Sequence, residues 1–220
     1  MHLTQTPLSG NETVLIGVCV GVVVVLSATW ELVAHFMTMA HEGMHGLAGS
    51  LTGGRVTGIW LKDNAEGLTK VSSGGFLFYF AGYLGPSAFG LGAARLIQFG
   101  HIIAVLWLCM LMLGLLLLRI KWSFGIVTVP LAGFLIFLVL KHTSQTDQIL
   151  ASYVITWFLL LSGVRIVVQH GANAGDASIL RDRTNLPRLI WSALWLAGTL
   201  AAVVIGARWM LHPAVHPLTR

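Results

Sequence analysis

Hydrophobic residues along the chain are grouped into six long runs that short polar segments separate. Each run has about 19–26 residues, enough for a helix that rises about 1.5 Å per residue to cross a hydrocarbon core about 30 Å thick. We therefore predict an α-helical polytopic membrane protein with about six transmembrane helices. The predicted spans are Val14–Phe36, Gly75–Gln98, His101–Arg119, Trp122–Lys141, Ile149–Gln169 and Leu186–Leu211.

The first predicted span has an unusual length. No proline interrupts the helical pattern between Val14 and Leu51. One straight helix over these residues would measure about 57 Å, which exceeds the thickness of the bilayer. Either the helix leaves the membrane, or it breaks near Ser27–Trp30 and a second short helix follows. The residues before Val14 contain no Lys or Arg, so we expect a retained span rather than a cleaved signal peptide.

The segment Gly53–Gly75 departs from the helical pattern. Two β-rich stretches, residues 55–62 and 68–72, flank a turn-like stretch at 63–67. We predict a β-hairpin beside the membrane. Nothing in the sequence suggests a second, soluble domain. We therefore expect one membrane-embedded domain over residues 1–220, with the hairpin as an insertion.

Composition supports the membrane class, since 56% of the residues are hydrophobic and only 10% are charged. Soluble domains have about a quarter of their residues charged. The net charge of +5 comes from basic residues scattered among short loops, so we expect no nucleic-acid partner. The two cysteines lie in apolar runs and predict packing rather than a disulfide framework. We expect the lipid bilayer as a partner and assign no oligomeric state.

The distribution of basic residues predicts the orientation in the membrane. Lys and Arg are concentrated in the connections after the first, third and fifth spans, and these connections are therefore predicted to be cytoplasmic. Both termini would then lie outside, in a multi-pass protein of the plasma membrane. The basic residues concerned are Arg55, Lys62, Lys70, Arg119, Lys121, Arg181, Arg183 and Arg188.

The run His41-Glu42-Gly43-Met44-His45 is the strongest chemical signal in the chain. Histidines four residues apart share one helix face, where both can bind a single Zn²⁺, and the intervening glutamate can act as general base. We therefore predict one zinc ion per chain, with His41 and His45 as ligands and Glu42 as the catalytic residue. The predicted orientation puts this site towards the cytoplasmic side.

A catalytic zinc site needs a third protein ligand. Asp147 lies on the wrong side under the predicted orientation, Asp63 at the hairpin tip, and Asp182 between two arginines. Asp176 remains, in a polar stretch on the motif's side. It is either the third zinc ligand or the N-cap of a helix over Ala177–Arg183.

Further polar and small residues are candidates for supporting roles. His170 is a second-choice ligand or a partner of a ligand, and Asn173 could hydrogen-bond substrate backbone. Gly85 and Pro86 predict a kinked packing seam or a helix that lines the active-site cleft. An alternative site could instead use His35, which lies in the first span.

The order of these features resembles the site-2 protease family of intramembrane zinc metallopeptidases (peptidase family M50), particularly its compact bacterial M50B-like branch. The resemblance covers about residues 30–190. The stretch Gly46–Gly54 continues the motif as in the family, and the hairpin stands where the family has a membrane-associated β-sheet. Gly85-Pro86 looks like the family's glycine-proline helix. Asp176 falls where the family's third zinc ligand is found.

Departures from the family pattern accompany the resemblance. The usual Leu-Asp-Gly is here Gly175-Asp176-Ala177, and Ser87-Ala88-Phe89 replaces the asparagine that follows the glycine-proline motif. The sequence has no PDZ insertion. The resemblance implies a zinc metalloendopeptidase whose partners are membrane-protein substrates, cut near the cytoplasmic face. One alternative is a metal-binding transporter, although several spans offer few polar ligands. The other is a non-catalytic scaffold, and the intact Glu42 argues against it.

Overall fold

The computed structural model describes residues 4–173 and 175–214, most of which are helical. Two short 3-10 turns, Gly82–Leu84 and Gly171–Asn173, interrupt the series of helices. The helices and strands are α1 (Gly10–Val25), α2 (Ser27–Leu51), β1 (Val56–Leu61), β2 (Gly67–Val71), α3 (Phe76–Ala81), α4 (Gly85–Gln98), α5 (Ala104–Leu117), α6 (Gly125–His142), α7 (Gln145–His170), α8 (Gly175–Thr184) and α9 (Arg188–Leu211).

The structure confirms the membrane class and part of the predicted set of spans. Among the described residues, α6, α7 and α9 are long and apolar enough to cross a membrane, and α1 with α2 makes a fourth candidate if the bent pair is one span. The predicted span Gly75–Gln98 is divided into α3, a 3-10 turn and α4. The predicted span His101–Arg119 contains only the 14-residue α5. Six spans are therefore not confirmed.

A break at Leu26 decides between the two alternatives for the first segment. Helices α1 and α2 meet there at an angle of 100°. The second helix carries the histidine motif, as one alternative proposed, but it has 25 residues and is not short. Thr29 helps to hold the break, because its hydroxyl donates to the carbonyls of Val23 at 2.6 Å and Leu26 at 3.0 Å.

Arg165 of α7 stabilises the same break from the other side. Its guanidinium donates to the carbonyls of Val24 and Val25, the latter at 2.6 Å. It also lies 4.6 Å from the centre of the Trp30 ring, a cation–π contact. The last carbonyls of a helix have no partner within the helix, so Arg165 satisfies groups that would otherwise be left unpaired.

We predict that Arg165→Met destabilises the fold by about 1–3 kcal/mol, because it leaves the terminal carbonyls of α1 unsatisfied. Thermal unfolding of the detergent-solubilised protein, followed by size-exclusion fluorescence, measures the effect. Arg208→Met is the matched control, since Arg208 is an exposed arginine in the last turn of α9. Equal melting temperatures for the two variants would contradict this role of Arg165.

The predicted β-hairpin is present between α2 and α3. Strands β1 and β2 pair antiparallel, with Ile59 opposite Thr69, and the turn closes through Lys62 N–H and Glu66 O at 2.8 Å. The strand β2 begins at Gly67, which the sequence pattern had assigned to the turn. At its tip the hairpin is fixed to α2, because the Thr38 hydroxyl donates to Ala65 O at 2.6 Å.

The edge of β1 that faces away from β2 is also hydrogen-bonded. Ile59 N–H donates to Arg119 O at 2.9 Å, and Lys121 N–H donates to Ile59 O at 2.9 Å. These two bonds form a parallel bridge between Ile59 and Ile120. The hairpin is thereby fixed both to the motif helix and to the connection between α5 and α6.

Small residues bring the remaining helices close together. A Cβ on Gly90 of α4 would lie 2.9 Å from Leu160 of α7, and one on Gly206 of α9 would lie 2.7 Å from the same leucine. Leu160 is fully buried at this junction. The three helices therefore form a tight core, and α2, which carries the histidine motif, packs against α4 of this core.

Candidate metal centre

Helices α2 and α8 bring three potential metal ligands together. His41, His45 and Asp176 each offer one ligand atom, and these atoms all lie within 4.8 Å of one another. Asp176 Oδ2 is 3.2 Å from His45 Nε2 and 3.9 Å from His41 Nε2. The two Nε2 atoms are 3.1 Å apart. Two imidazoles and one carboxylate make a three-ligand set of the kind that catalytic zinc uses, with a fourth position left open.

The orientation of His45 suits metal binding. Its Nδ1 lies 2.7 Å from the carbonyl oxygen of Phe78, which can accept a hydrogen bond but cannot donate one. Nδ1 therefore carries a proton, and Nε2, which faces Asp176, is the ring nitrogen available to a metal. Such a backbone bond to the far nitrogen is the usual means by which proteins fix the tautomer of a histidine ligand.

The His41 ring is oriented by aromatic packing. It meets the Tyr83 ring edge-on, with centroids 4.8 Å apart, and Tyr83 in turn stacks on Trp195 at 4.5 Å. His41 Nδ1 is buried and has no hydrogen-bond partner among the described residues. Aromatic side chains from the 3-10 turn and from α9 thus fix the ring.

Glycines let the segment from α3 to α4 approach the motif helix closely. A Cβ on Gly82 would overlap the His45 ring, and one on Gly85 would lie 2.6 Å from Met44 Cβ. Pro86 is buried at the start of α4. Gly85 therefore lets α4 begin close to α2, while Gly82 lies beside the His45 ring. Gly82 was not among the predicted site residues, although it lies in the same small-residue stretch, Gly82–Gly90.

Glu42 lies under the strand β2. Its side chain is buried, with 4% of the residue exposed, and its carboxylate accepts a 2.6 Å hydrogen bond from the Thr69 hydroxyl. Gly67 passes so close that a Cβ there would overlap the Glu42 side chain. The spacing of the motif gave no sign of Thr69 or Gly67. Their only sequence signal was membership of the predicted hairpin.

Asp176 belongs to the cluster, and the structure separates the remaining candidates from it. Asp176 is the second residue of α8, inside the helix rather than before it as the N-cap alternative required, and its carboxylate faces the histidines. His170 and Asn173 are exposed and do not belong to the ligand group. The His35 ring packs against Phe124 at 5.2 Å, and His35 is also outside that group.

Two histidines four residues apart on one helix, a carboxylate from a later helix and a glutamate beside the first histidine form an arrangement that zinc peptidases use. A family model described as Peptidase M50B-like matches residues 14–206. The chain belongs to this peptidase family, which confirms the resemblance seen in the sequence. Searches among curated proteins and among solved structures gave no match.

Proposed function

We propose that the protein is a zinc-dependent intramembrane endopeptidase that hydrolyses peptide bonds of membrane-spanning substrates. The observation that carries this proposal is the convergence of His41, His45 and Asp176 beside the buried Glu42, in a chain of the M50B-like family. One zinc ion per chain would be held by the two Nε2 atoms and one carboxylate oxygen.

Each residue has a separate role in the proposed reaction. When bound in such a site, zinc supplies Lewis-acid chemistry, which makes water more acidic and polarises the scissile carbonyl. Glu42 accepts a proton from the attacking water and passes it to the leaving amine. Thr69 holds the Glu42 carboxylate by its 2.6 Å hydrogen bond, and it is a positioning residue rather than a catalytic one.

The substrate must be locally unwound, because a helix engages its own carbonyls in hydrogen bonds. The strand β2 is suited to hold such a segment by edge addition, which supplies backbone hydrogen bonds. It lies beside Glu42, and its outer edge has no ladder partner in the described part of the chain. In this proposal the substrate segment pairs with β2 while the scissile bond lies at the zinc.

Cleavage near the cytoplasmic face of the plasma membrane is part of the proposal. It rests on the basic residues of three connections, which follow the positive-inside pattern. Contacts between these connections support a common side. The hairpin bonds to the segment at Ile120, and Asp176, from the third connection, meets the motif that precedes the hairpin.

We predict that Gly67→Ala lowers peptidase activity by about 10- to 100-fold, because the added Cβ displaces the Glu42 carboxylate from its position. Zinc content is expected to be unchanged, since the atoms nearest a Cβ on Gly67 belong to Glu42, which is outside the ligand group. Parallel measurement of cleavage rate and of zinc by mass spectrometry checks both parts.

The matched control for this variant is Gly133→Ala. A Cβ on Gly133, in the middle of α6, meets no atom within 4 Å. We expect the control to retain wild-type activity. A Gly67→Ala enzyme as active as Gly133→Ala would show that the strand can move aside without cost, and would remove Gly67 from the proposed mechanism.

Reconstitution into liposomes tests the proposed function directly. The protein is combined with a single-span reporter whose fragments are separated by mass. We expect fragments with zinc-loaded protein, none after treatment with a zinc chelator, and recovery when zinc is restored. Zinc flux into the same liposomes is expected to stay at background. Flux without cleavage would favour the transporter over the peptidase.

A further inference from the structure

A long apolar cleft lies behind the motif helix, on the face of α2 turned away from the metal ligands. Its volume is about 720 Å³, and α5 forms one wall from Val105 to Arg119. Helix α2 contributes Ala40, Gly43 and Leu47 to the opposite wall, and α6 and α7 complete it. None of His41, Glu42, His45 and Asp176 lines the cleft, so it is separate from the proposed active site.

The length of the cleft suits one acyl chain of a lipid. The wall from Val105 to Arg119 is about 21 Å long at about 1.5 Å per residue. One acyl chain reaches across half of the hydrocarbon core, about 15 Å, and therefore fits within this length.

The polarity of the cleft is asymmetric along its length. Of the described residues that line it, Arg119 alone is charged, and it stands at one end. Arg119 and the nearby Lys121 are exposed, and neither forms an ion pair within the described ranges. The opposite end, near Val20 and Val105, is apolar. A basic mouth and an apolar interior match a ligand with an anionic head and a hydrocarbon tail.

We propose that this cleft binds one acyl chain of an anionic phospholipid, with the lipid phosphate at Arg119. The apolar walls supply the hydrophobic contribution, which any acyl chain would share. Arg119 and Lys121 supply the preference for an anionic headgroup, since each basic residue near anionic lipid contributes about 1 kcal/mol, or about fivefold in affinity. The site does not depend on the proposed peptidase activity.

Photocrosslinking with the full-length protein tests the proposal. Phosphatidylglycerol and phosphatidylcholine, each with a diazirine in the middle of one acyl chain, are incorporated separately into nanodiscs. Adducts are mapped by mass spectrometry and normalised to adducts on the exposed face of α9, which contacts bulk lipid. We expect phosphatidylglycerol to label the cleft-facing residues of α5 and α7 about 25-fold more than phosphatidylcholine does, about fivefold for each of Arg119 and Lys121.

Two variants with matched controls distinguish the headgroup from the chain. Arg119→Gln is expected to lower phosphatidylglycerol labelling of the cleft about fivefold, whereas Arg208→Gln, at an exposed helix end elsewhere, leaves it unchanged. A Cβ on Gly43, which lines the cleft, meets no atom within 4 Å, so Gly43→Leu directs a side chain into the cleft, and labelling by both lipids should fall. Gly114→Leu, outside the cleft lining on α5 and equally free of contacts, should leave it unchanged.

Three results would overturn the proposal. Equal labelling by the two lipids would mean that the cleft has no preference for an anionic head. Unchanged labelling in Arg119→Gln would remove the assigned phosphate contact. Unchanged labelling in Gly43→Leu would show that the adducts arise outside the cleft. The arginine is exposed, so its variant gives a result even if the glycine variant fails to fold.

Discussion

Asp176→Ala is expected to purify with less than about a tenth of the zinc bound by the wild-type protein after dialysis against a weak chelator. The reason is the loss of the only carboxylate in the ligand cluster, which lies 3.2 Å from His45 Nε2. Catalytic zinc sites use three protein ligands, and loss of even an outer partner costs about 10- to 100-fold in affinity. Removal of a ligand itself should cost at least as much.

Asp182→Ala is the control for this prediction. Asp182 lies in the same helix but is exposed and paired with Arg181 at 2.6 Å. Its replacement should leave zinc at about one ion per chain. Elemental analysis by mass spectrometry on both purified variants provides the measurement. Equal zinc in Asp176→Ala and in the wild type would refute Asp176 as the third ligand and would require another residue in its place.

Glu42→Gln is expected to keep its zinc and lose its peptidase activity. The amide has almost the same shape as the carboxylate and can still contact the Thr69 hydroxyl, but it cannot accept a proton from water. General acid–base catalysis contributes about 10²- to 10⁴-fold, and cleavage should fall by that factor. Zinc content and melting temperature should match the wild type, because Glu42 is not in the ligand group.

Glu31→Gln is the natural control for that substitution. Glu31 is also in α2, is exposed, and stands outside the ligand group. We expect its variant to cleave the reporter at the wild-type rate. Normal activity in Glu42→Gln would exclude Glu42 as general base. Loss of zinc in Glu42→Gln would instead assign it to the metal site.

The part of the site predicted from sequence is the part that depends on local helix geometry. His41 and His45 share a face because residues four apart do so in any α-helix. The hairpin could also be predicted from local sequence, because two β-rich stretches flank a turn. Asp176 required long-range information. The predicted orientation and the local settings of the other aspartates left it as a candidate, and the family resemblance favoured it as the third ligand. The structure places its carboxylate beside the histidines.

The features that sequence missed are those set by close tertiary contact. Hydropathy does not reveal a break in an apolar run, so the predicted span Gly75–Gln98 concealed the turn that carries Gly82 and Tyr83 to the histidines. The motif also gives no information about the residues that pack over it. Thr69 and Gly67 become recognisable as neighbours of Glu42 only when β2 is placed on α2.

Comparison of membrane-protein fragments in cells that carry either the wild type or Glu42→Gln tests the proposed peptidase most directly. New termini are enriched and mapped onto the membrane spans of the proteins they come from. We predict a set of termini within spans, near their cytoplasmic ends, that is present with the wild type and absent with Glu42→Gln. Identical fragment sets from the two strains, with both proteins expressed and loaded with zinc, would contradict intramembrane proteolysis as the function.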